Sequence, residues 1–141
     1  MAVTSEVDGT YIPLGARRTF KASDSYAAAG PKVGDLVKRD LSDNGLVARC
    51  VANDPPMGRV ESINWGNGYL TIDWWIQGLT QELEYAGTLA IGQRVVANGD
   101  RGPGGTDRVK YEGVDTAIGV GQVSSIDYPR PGYCVVEIGQ R

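Results

Sequence analysis

Short apolar runs separated by turn residues follow one another along most of this chain, and they predict its secondary structure. Twenty glycines and seven prolines lie between runs rich in Val, Ile, Tyr, Trp and Thr, a texture typical of many short strands joined by tight turns. From Pro31 onward the runs cover residues 35–38, 45–52, 58–63, 69–76, 82–85, 94–97, 109–111, 117–126 and 133–138. This spacing predicts an all-β fold, either a small β-sandwich or a partly open β-barrel.

Helical periodicity is rare in the chain. The best helical candidate is Ser23–Ala29, in which Ser23 is a favoured N-cap residue and Gly30-Pro31 ends the segment. We therefore expect one helix of two turns at most.

The first 30 residues hold few large apolar side chains and show no sustained period of 2 or 3.6. They predict an extended N-terminal arm over 1–30, ahead of a β-rich core domain over 31–141. A solvated segment is the plain interpretation of the arm. The alternative is an arm that orders on a partner, with the cations Arg17 and Arg18 and the apolar anchors Tyr11, Ile12 and Phe20 as candidate contacts.

Two stretches of the chain repeat one pattern, GRVESINWGNGYLTI at 58–72 and GQVSSIDYPRPGYCVV at 121–136. With one residue added, Gly58, Val60, Ser62, Ile63, Gly68 and Tyr69 match Gly121, Val123, Ser125, Ile126, Gly132 and Tyr133. Upstream, VGDLV at 33–37 resembles IGQRV at 91–95. Each copy predicts a hairpin, since Asn-Gly favours a type I′ turn and the prolines of the second copy require another type. An internal pseudo-repeat of about 60 residues follows, and it favours a duplicated architecture over a doubled ligand site.

Bulk composition narrows the class of protein. The chain has 141 residues, which suit one domain, and 41% of them are hydrophobic. A net charge of -3 argues against a general binder of the phosphate backbone, and no apolar run reaches the length of a membrane helix. We expect a soluble globular protein with neither nucleic acid nor membrane as partner.

Cys50 and Cys134 are far apart in the chain and form no CxxC motif. The opening residues MAVTSEVDG lack the charged and apolar regions of a secretory signal. Two reduced, partly buried thiols in a protein made in the cytoplasm are expected, and a disulfide between them is the open alternative.

Candidate chemistry is sparse. The chain has no histidine, which excludes His-based triads, His-bound zinc and imidazole acid–base catalysis. The Gly-rich stretch Asn98–Asp107 lacks the spacing of a phosphate loop and predicts a mobile surface loop. Asp73, Glu82 and Glu84 could serve a small hydrolase, but Glu82 and Glu84 fit a solvated strand face better. The sequence thus predicts no catalytic residue, no cofactor and no metal site.

The tryptophans carry the clearest signal for a partner. Trp74 and Trp75 are adjacent in a predicted strand, so one indole should face the core and the other should face outward. An outward Trp suits a protein interface, which we favour, because Trp is enriched at interface hot spots. Simple packing within the protein is one alternative. The other is a carbohydrate-binding β-sandwich module, with Trp65 and Trp75 as two stacking rings.

Several runs of the sequence together resemble a known family. VGDLV, GRVESI, LEYAGTLAIGQRVVANG, IGVGQVSSID and CVVEIGQR, which span most of 31–141, resemble the head decoration (capsid cement) proteins of tailed bacteriophages. The resemblance implies a non-enzymatic structural protein made in the host cytoplasm and located on the outer surface of the virion capsid. There it would act as a homotrimer that bridges subunits of the major capsid protein and stabilises the shell. It also implies that the N-terminal segment reaches the capsid.

Overall fold

A computed structural model describes residues 4–7, 10–13, 17–40, 46–113, 119–128 and 130–139, with backbone alone for the first two ranges. This part of the chain forms twelve strands and one helix. They are β1 Thr4–Val7, β2 Thr10–Pro13, β3 Arg17–Ala22, α1 Asp24–Ala29, β4 Leu36–Arg39, β5 Leu46–Arg49, β6 Gly58–Ile63, β7 Tyr69–Trp74, β8 Thr80–Tyr85, β9 Val95–Arg101, β10 Asp107–Tyr111, β11 Gly121–Ile126 and β12 Tyr133–Ile138. The predicted all-β class is confirmed.

The first half of the chain closes into a five-stranded barrel with the order β3-β5-β4-β6-β7. β3 runs parallel to β5 and antiparallel to β7, which closes the ring. The interior is apolar, and its most deeply buried side chains are Val37, Val47, Val60, Leu70 and Ile72. Because closure pairs every strand on both sides, this half has no free sheet edge.

The second half forms a five-stranded sheet with the order β11-β12-β8-β10-β9. Its own core contains Leu83, Val95, Val109, Val123 and Val136. β9 and β11 approach each other at an isolated bridge between Arg94 and Gln122 and do not form a ladder there. The second half is thus a barrel that is left partly open at this seam.

The two halves share one topology. β8 to β12 repeat the pairings of β3 to β7 in the same order, including the parallel pair, β8 with β10 in place of β3 with β5. The registers agree as well, because Leu36 pairs with Arg59 where the second half has the bridge between Arg94 and Gln122. Both long hairpins also carry a register shift at the same place, after Val60 and after Val123. The predicted internal pseudo-repeat is confirmed.

Gly58 and Gly121 occupy equivalent positions for one steric reason. A Cβ at Gly58 would lie 2.7 Å from the carbonyl oxygen of Asp73, and one at Gly121 would lie 2.2 Å from that of Glu137. Both distances are far below an ordinary contact, so the strand pair can approach only where the side chain is hydrogen. The glycine that begins each copy of the repeat is a requirement of the hairpin's packing.

The predicted helix is confirmed as α1. The Ser23 hydroxyl accepts a hydrogen bond from the Tyr26 amide, and Gly30 ends the helix in the left-handed region with φ of 87°. Tyr26 is buried and packs against the first core. α1 therefore packs against the five-stranded barrel, in contact with β5.

The N-terminal arm is shorter than the predicted 1–30. Residues 17–22 form β3, which is an integral strand of the first barrel, and 24–29 form α1. β1 and β2 pair with each other in an antiparallel hairpin and join neither five-stranded sheet. The segment outside the two halves thus ends before Arg17.

Candidate partner-binding surfaces

An apolar groove of about 420 Å³ lies where the two halves meet, at the end of β7. Both halves contribute to it. Its walls consist of Arg39, Pro56, Met57, Trp74, Trp75, Gln77, Val120, Ile138 and Gly139. Among these described wall residues Arg39 is the one formal charge, so the groove suits an uncharged, largely apolar occupant.

Trp74 and Trp75 both line this groove, and they pack on different cores. Trp74 packs on the first core, with its ring edge-on to Phe20 at a centroid distance of 5.1 Å. Trp75 packs on the second core. The expected arrangement, with one indole in a core and the other facing outward, is therefore wrong, because β7 ends at Trp74, the chain then passes to the second half, and each indole packs on a core.

Both indoles retain unused hydrogen-bonding capacity. Neither the Nε1 of Trp74 nor that of Trp75 donates to an acceptor within the described residues, although both atoms are shielded from solvent. Arg39 lies above two rings, with its guanidinium carbon 5.2 Å from the centroid of Phe20 and 5.3 Å from that of Trp74. The groove rim thus presents a cation beside aromatic faces.

Trp65 projects from the turn between β6 and β7 and is 80% exposed. Its neighbours fix the turn. The Asn64 side chain accepts from the Gly66 amide at 2.9 Å, the Asn67 side chain accepts from the Tyr69 amide at 2.9 Å, and the Asn64 carbonyl accepts from the Gly68 amide at 2.7 Å. An exposed indole is therefore held on a turn that is ordered in advance.

The equivalent turn of the second half presents Tyr128, which is 70% exposed. Asp127 holds this turn, because its carboxylate accepts from the Gly132 amide at 2.9 Å and from the Tyr85 hydroxyl at 2.8 Å. These two donors lower the pKa of Asp127 below the ordinary aspartate range. The two hairpin tips share an exposed aromatic ring, but the second one carries charge.

The carbohydrate alternative requires Trp65 and Trp75 to act together as stacking rings. Trp65 precedes β7 at its start, whereas Trp75 follows the end of β7 and packs on the second core. The structure does not bring the two rings together on one face.

The candidate contacts in the arm fall into three groups. Tyr11 and Ile12 belong to β2, and their side chains lie outside the described part of the molecule. Arg17 and Arg18 are exposed on β3. Phe20, expected to anchor a partner, is instead buried in the first core, since its strand alternation places it opposite Leu70 inside the barrel.

Glu84 is buried, and its expected place on a solvated strand face is therefore wrong. Its carboxylate accepts from the amides of Gly104 and Thr106, at 3.1 and 3.0 Å, and from the Thr106 hydroxyl. Burial by itself raises the pKa of Glu84, but these hydrogen bonds and one from Tyr133 outweigh it and lower the pKa. A carboxylate held ionised by its own chain is not available as a catalytic acid.

Residues 102–106, the part of the Gly-rich stretch that joins β9 to β10, form a cradle around the Glu84 carboxylate. A Cβ at Gly102 would lie 2.0 Å from a carboxylate oxygen of Glu84, and one at Gly104 would lie 2.1 Å from the Tyr133 hydroxyl. Glycine at these two positions therefore lets the loop backbone approach the carboxylate and the hydroxyl closely. It resembles an anion-binding loop in its use of backbone amides, but its anion is an internal side chain.

Of the other hydrolase candidates, Glu82 pairs with Arg130 at 2.8 Å on the surface. Asp73 has a raised pKa, mainly because of burial and then because of Glu61, while Arg17 and Arg59 oppose the shift.

Sequence reasoning missed two ion pairs that join the halves. Asp35, before β4, binds Arg101 at the end of β9, and Asp107, at the start of β10, binds Arg49 at the end of β5. Both carboxylates are buried. The signal for Asp35 was present in VGDLV, where a charged residue interrupts an apolar run, but its partner is 66 residues away.

Cys50 and Cys134 are both free and buried, in line with the expected reduced thiols. Within the described ranges no three His, Cys, Asp or Glu side chains are grouped as a metal site would require. Among the described residues, no helix has the length and hydropathy needed to cross a membrane.

Comparison of the chain with protein-family models, with curated proteins and with solved structures finds no match.

Proposed function

We propose that this chain is a non-enzymatic structural protein that binds the outer surface of a tailed-bacteriophage capsid and stabilises it by bridging major capsid subunits. The observation that carries the proposal is the hairpin of β1 and β2, which stands ahead of the first barrel and pairs only with itself among the described strands. An isolated two-stranded hairpin is marginally stable in water, so it gains most from a surface on which to lie. The resemblance of residues 31–141 to head decoration proteins supplies the identity of that surface.

The two-barrel body suits a bridge. Two closed or nearly closed barrels, joined by buried ion pairs, form a stiff unit that holds neighbouring subunits at a fixed distance. If three copies assemble, as the resemblance implies, three hairpins act together, and binding of the first raises the effective concentration of the others. Weak individual contacts then add up to stable attachment.

The proposal is tested by truncation at residue 16. β3 begins at Arg17, so a protein lacking residues 1–16 keeps both five-stranded units, whereas removal of 1–20 would take Phe20 from the first core. Both the full chain and the truncated form are mixed with expanded, undecorated heads from a panel of tailed bacteriophages, and bound protein is measured by co-sedimentation and cryo-electron microscopy.

We expect the full chain to coat one of these heads and to raise its resistance to heat. The truncated form should keep the melting temperature of its barrels and lose most of its binding. Equal binding by both forms would show that the β1–β2 hairpin is not the element that binds the capsid. If the full chain bound none of the heads, the proposed capsid-binding function would itself be contradicted.

A further inference from the structure

We infer that the second half of this chain carries a binding site for a carboxylate group, in a polar cavity at the open seam between β9 and β11. The cavity has a volume of about 530 Å³. Its polar wall residues are Gln93, Arg94, Tyr111, Glu112 and Gln122. They all belong to the second half, so the site does not depend on the proposed capsid function.

The cavity wall is the counterpart of a surface in the first half. The matched registers place Arg94 where the first half has Leu36. The Glu112 amide donates to the Arg94 carbonyl at 3.0 Å, just as the Cys50 amide donates to the Leu36 carbonyl at 2.8 Å. The repeat therefore builds both surfaces on the same backbone scaffold.

The turn that leads into each surface is shared as well. In the first half the Asp35 carboxylate accepts from the Lys32 amide at 3.0 Å. In the second half the side-chain oxygen of Gln93 accepts from the Ala90 amide at 2.8 Å. Because the backbone is held in the same way, the two surfaces differ in their side chains and in what lies against them.

In the first half this surface binds a carboxylate. The carboxylate belongs to Asp107, which the second half supplies and which is buried. It accepts from the Leu36 amide at 3.0 Å, and the Arg49 guanidinium binds it through Nε and Nη2. In the second half the counterpart of this surface lines an open cavity instead.

Arg94 supplies the cation for a carboxylate in this cavity. The counterpart of Arg49 is Tyr111, because Val95 pairs with Tyr111 as Val37 pairs with Arg49, so the positive charge comes from a different strand in the second half. Arg94 is partly exposed and lines the cavity. Its Nη1 is shielded from water and has no acceptor among the described residues. The guanidinium therefore gains from an anion, and a carboxylate matches its forked geometry.

Glu112 limits the ligand to a single negative charge. Its carboxylate lines the same cavity and accepts from the Gly119 amide at 2.8 Å. A ligand with two negative charges, such as phosphate, would be repelled by this group, whereas one charge beside Arg94 is balanced. Tyr111 and Gln122 add neutral donors and acceptors for the rest of the ligand. The ligand is thus a monocarboxylate, either a free small acid or an acidic side chain of a partner protein.

The first experiment titrates the full chain with sodium acetate and follows its backbone amides by two-dimensional NMR. Sodium chloride at the same ionic strength is the control, and sodium phosphate is the probe with a higher charge. We expect acetate to give saturable shifts of the Arg94, Glu112 and Gln122 amides, and phosphate to bind more weakly. The inference is overturned if acetate gives no saturable shift at these amides or if phosphate binds more tightly.

The second experiment repeats the acetate titration on variants. Arg94→Leu introduces the residue that the first half has at the equivalent position, and Arg94→Gln removes the charge while keeping a polar side chain in case the first variant folds poorly. Acetate affinity should fall about tenfold or more in both, with the remaining amide signals unchanged. Arg130→Leu removes an arginine that lies outside the cavity and pairs with Glu82, and it should bind acetate like the native protein. Native affinity in a folded Arg94 variant refutes the site.

Two blocked peptides, acetyl-Gly-Asp-Gly-amide and acetyl-Gly-Asn-Gly-amide, identify the source of the carboxylate. Tighter binding of the Asp peptide than of acetate would indicate an acidic side chain of a partner protein, and weaker binding would indicate a free small acid. Detectable and equal binding of the two peptides would show that the cavity does not recognise the negative charge, and would overturn the inference. None of these titrations involves a phage head, so their failure leaves the capsid proposal standing.

Discussion

The carboxylate of Asp35 accepts two hydrogen bonds from the guanidinium of Arg101, one from Nε and one from Nη2, each at 3.0 Å. Asp35 precedes β4 in the first half, and Arg101 ends β9 in the second. The Tyr26 hydroxyl, at 2.7 Å, and the Lys32 amide, at 3.0 Å, complete the coordination of this fully buried carboxylate. One ionised group thus ties the helix, the first barrel and the second sheet together.

Replacement of Arg101 by Ala should lower the free energy of unfolding by about 3 kcal/mol, because it leaves the buried charge of Asp35 without its counterion. Urea denaturation measures the change. Arg130→Ala is the control, since its pair with Glu82 is largely exposed and should contribute less than about 1 kcal/mol. Similar losses in both variants would contradict this prediction. They would mean that the hydrogen bonds from the Tyr26 hydroxyl and the Lys32 amide are enough to stabilise the buried Asp35 carboxylate.

Glu84→Gln should weaken the acid dependence of stability. The folded pKa of Glu84 is below its unfolded value, so the unfolded chain binds more protons at pH values between the two. The stabilising contribution of Glu84 is therefore complete above about pH 4.3, the ordinary glutamate pKa, and is lost as the pH falls through the folded pKa.

Urea midpoints at neutral pH and near pH 3 test this behaviour. The native protein should lose more stability between the two conditions than Glu84→Gln, which starts lower at neutral pH. Glu82→Gln, two residues earlier on the same strand and only partly buried, is the matched control. An acid response of Glu84→Gln as steep as that of the native protein would contradict the role of the Gly-rich cradle.

Gly58→Ala and Gly121→Ala should each destabilise the fold by roughly 1–3 kcal/mol, because the new methyl group would meet a carbonyl oxygen of the neighbouring strand. Thermal melting of both variants measures the loss. Gly66→Ala is the control, since the nearest atom is a side-chain oxygen at 3.2 Å on a surface turn. The equivalence of the halves would be undermined if one of the two strand variants melted like the native protein.

Cys50 and Cys134 should resist thiol reagents in the folded protein. Burial raises the pKa of both thiols to about 12, so at neutral pH almost none of the reactive thiolate forms. Labelling with a disulfide reagent should be slow in buffer and fast for both thiols in urea. The variants Cys50→Ser and Cys134→Ser assign each signal, and prompt labelling of either thiol in buffer would show that its core opens readily.

Local signals predicted where the hairpins turn. The type I′ turn predicted for Asn67-Gly68 is wrong, because Asn67 lacks the positive φ that it requires and the Gly68 amide donates to the Asn64 carbonyl. The repeated Gly, Val, Ile and Tyr positions specify where a strand begins, which side chains enter a core and where the chain turns, and these depend on near neighbours. Ser23 and Gly30 fixed the ends of α1 in the same way. The prediction of an arm over 1–30 is wrong beyond residue 16. Arg17–Ala22 has few apolar residues, so the sequence gives no strand signal there, and the segment becomes a strand through its pairing with β5 and β7.

Local sequence patterns did not predict contacts between residues that are far apart in the chain. Glu84 and Glu82 look alike in sequence, yet the loop 102–106 covers Glu84, whereas Glu82 stays partly exposed and pairs with Arg130. Trp74 and Trp75 look like one inward and one outward residue, yet two cores meet at that strand end. In both cases the environment of a side chain depends on a segment elsewhere in the chain.

The sequence by itself determined that this is a duplicated all-β protein with glycine-dependent hairpins, because strand periodicity and turn chemistry act over a few residues. The tertiary structure alone decided that one half closes fully, that Asp35 and Asp107 find cations in the opposite half, and that the tryptophan groove and the Trp65 tip lie at opposite ends of one hairpin. These features depend on which strands pair and how two cores are placed, and pairing over long sequence separations leaves no local pattern in the chain.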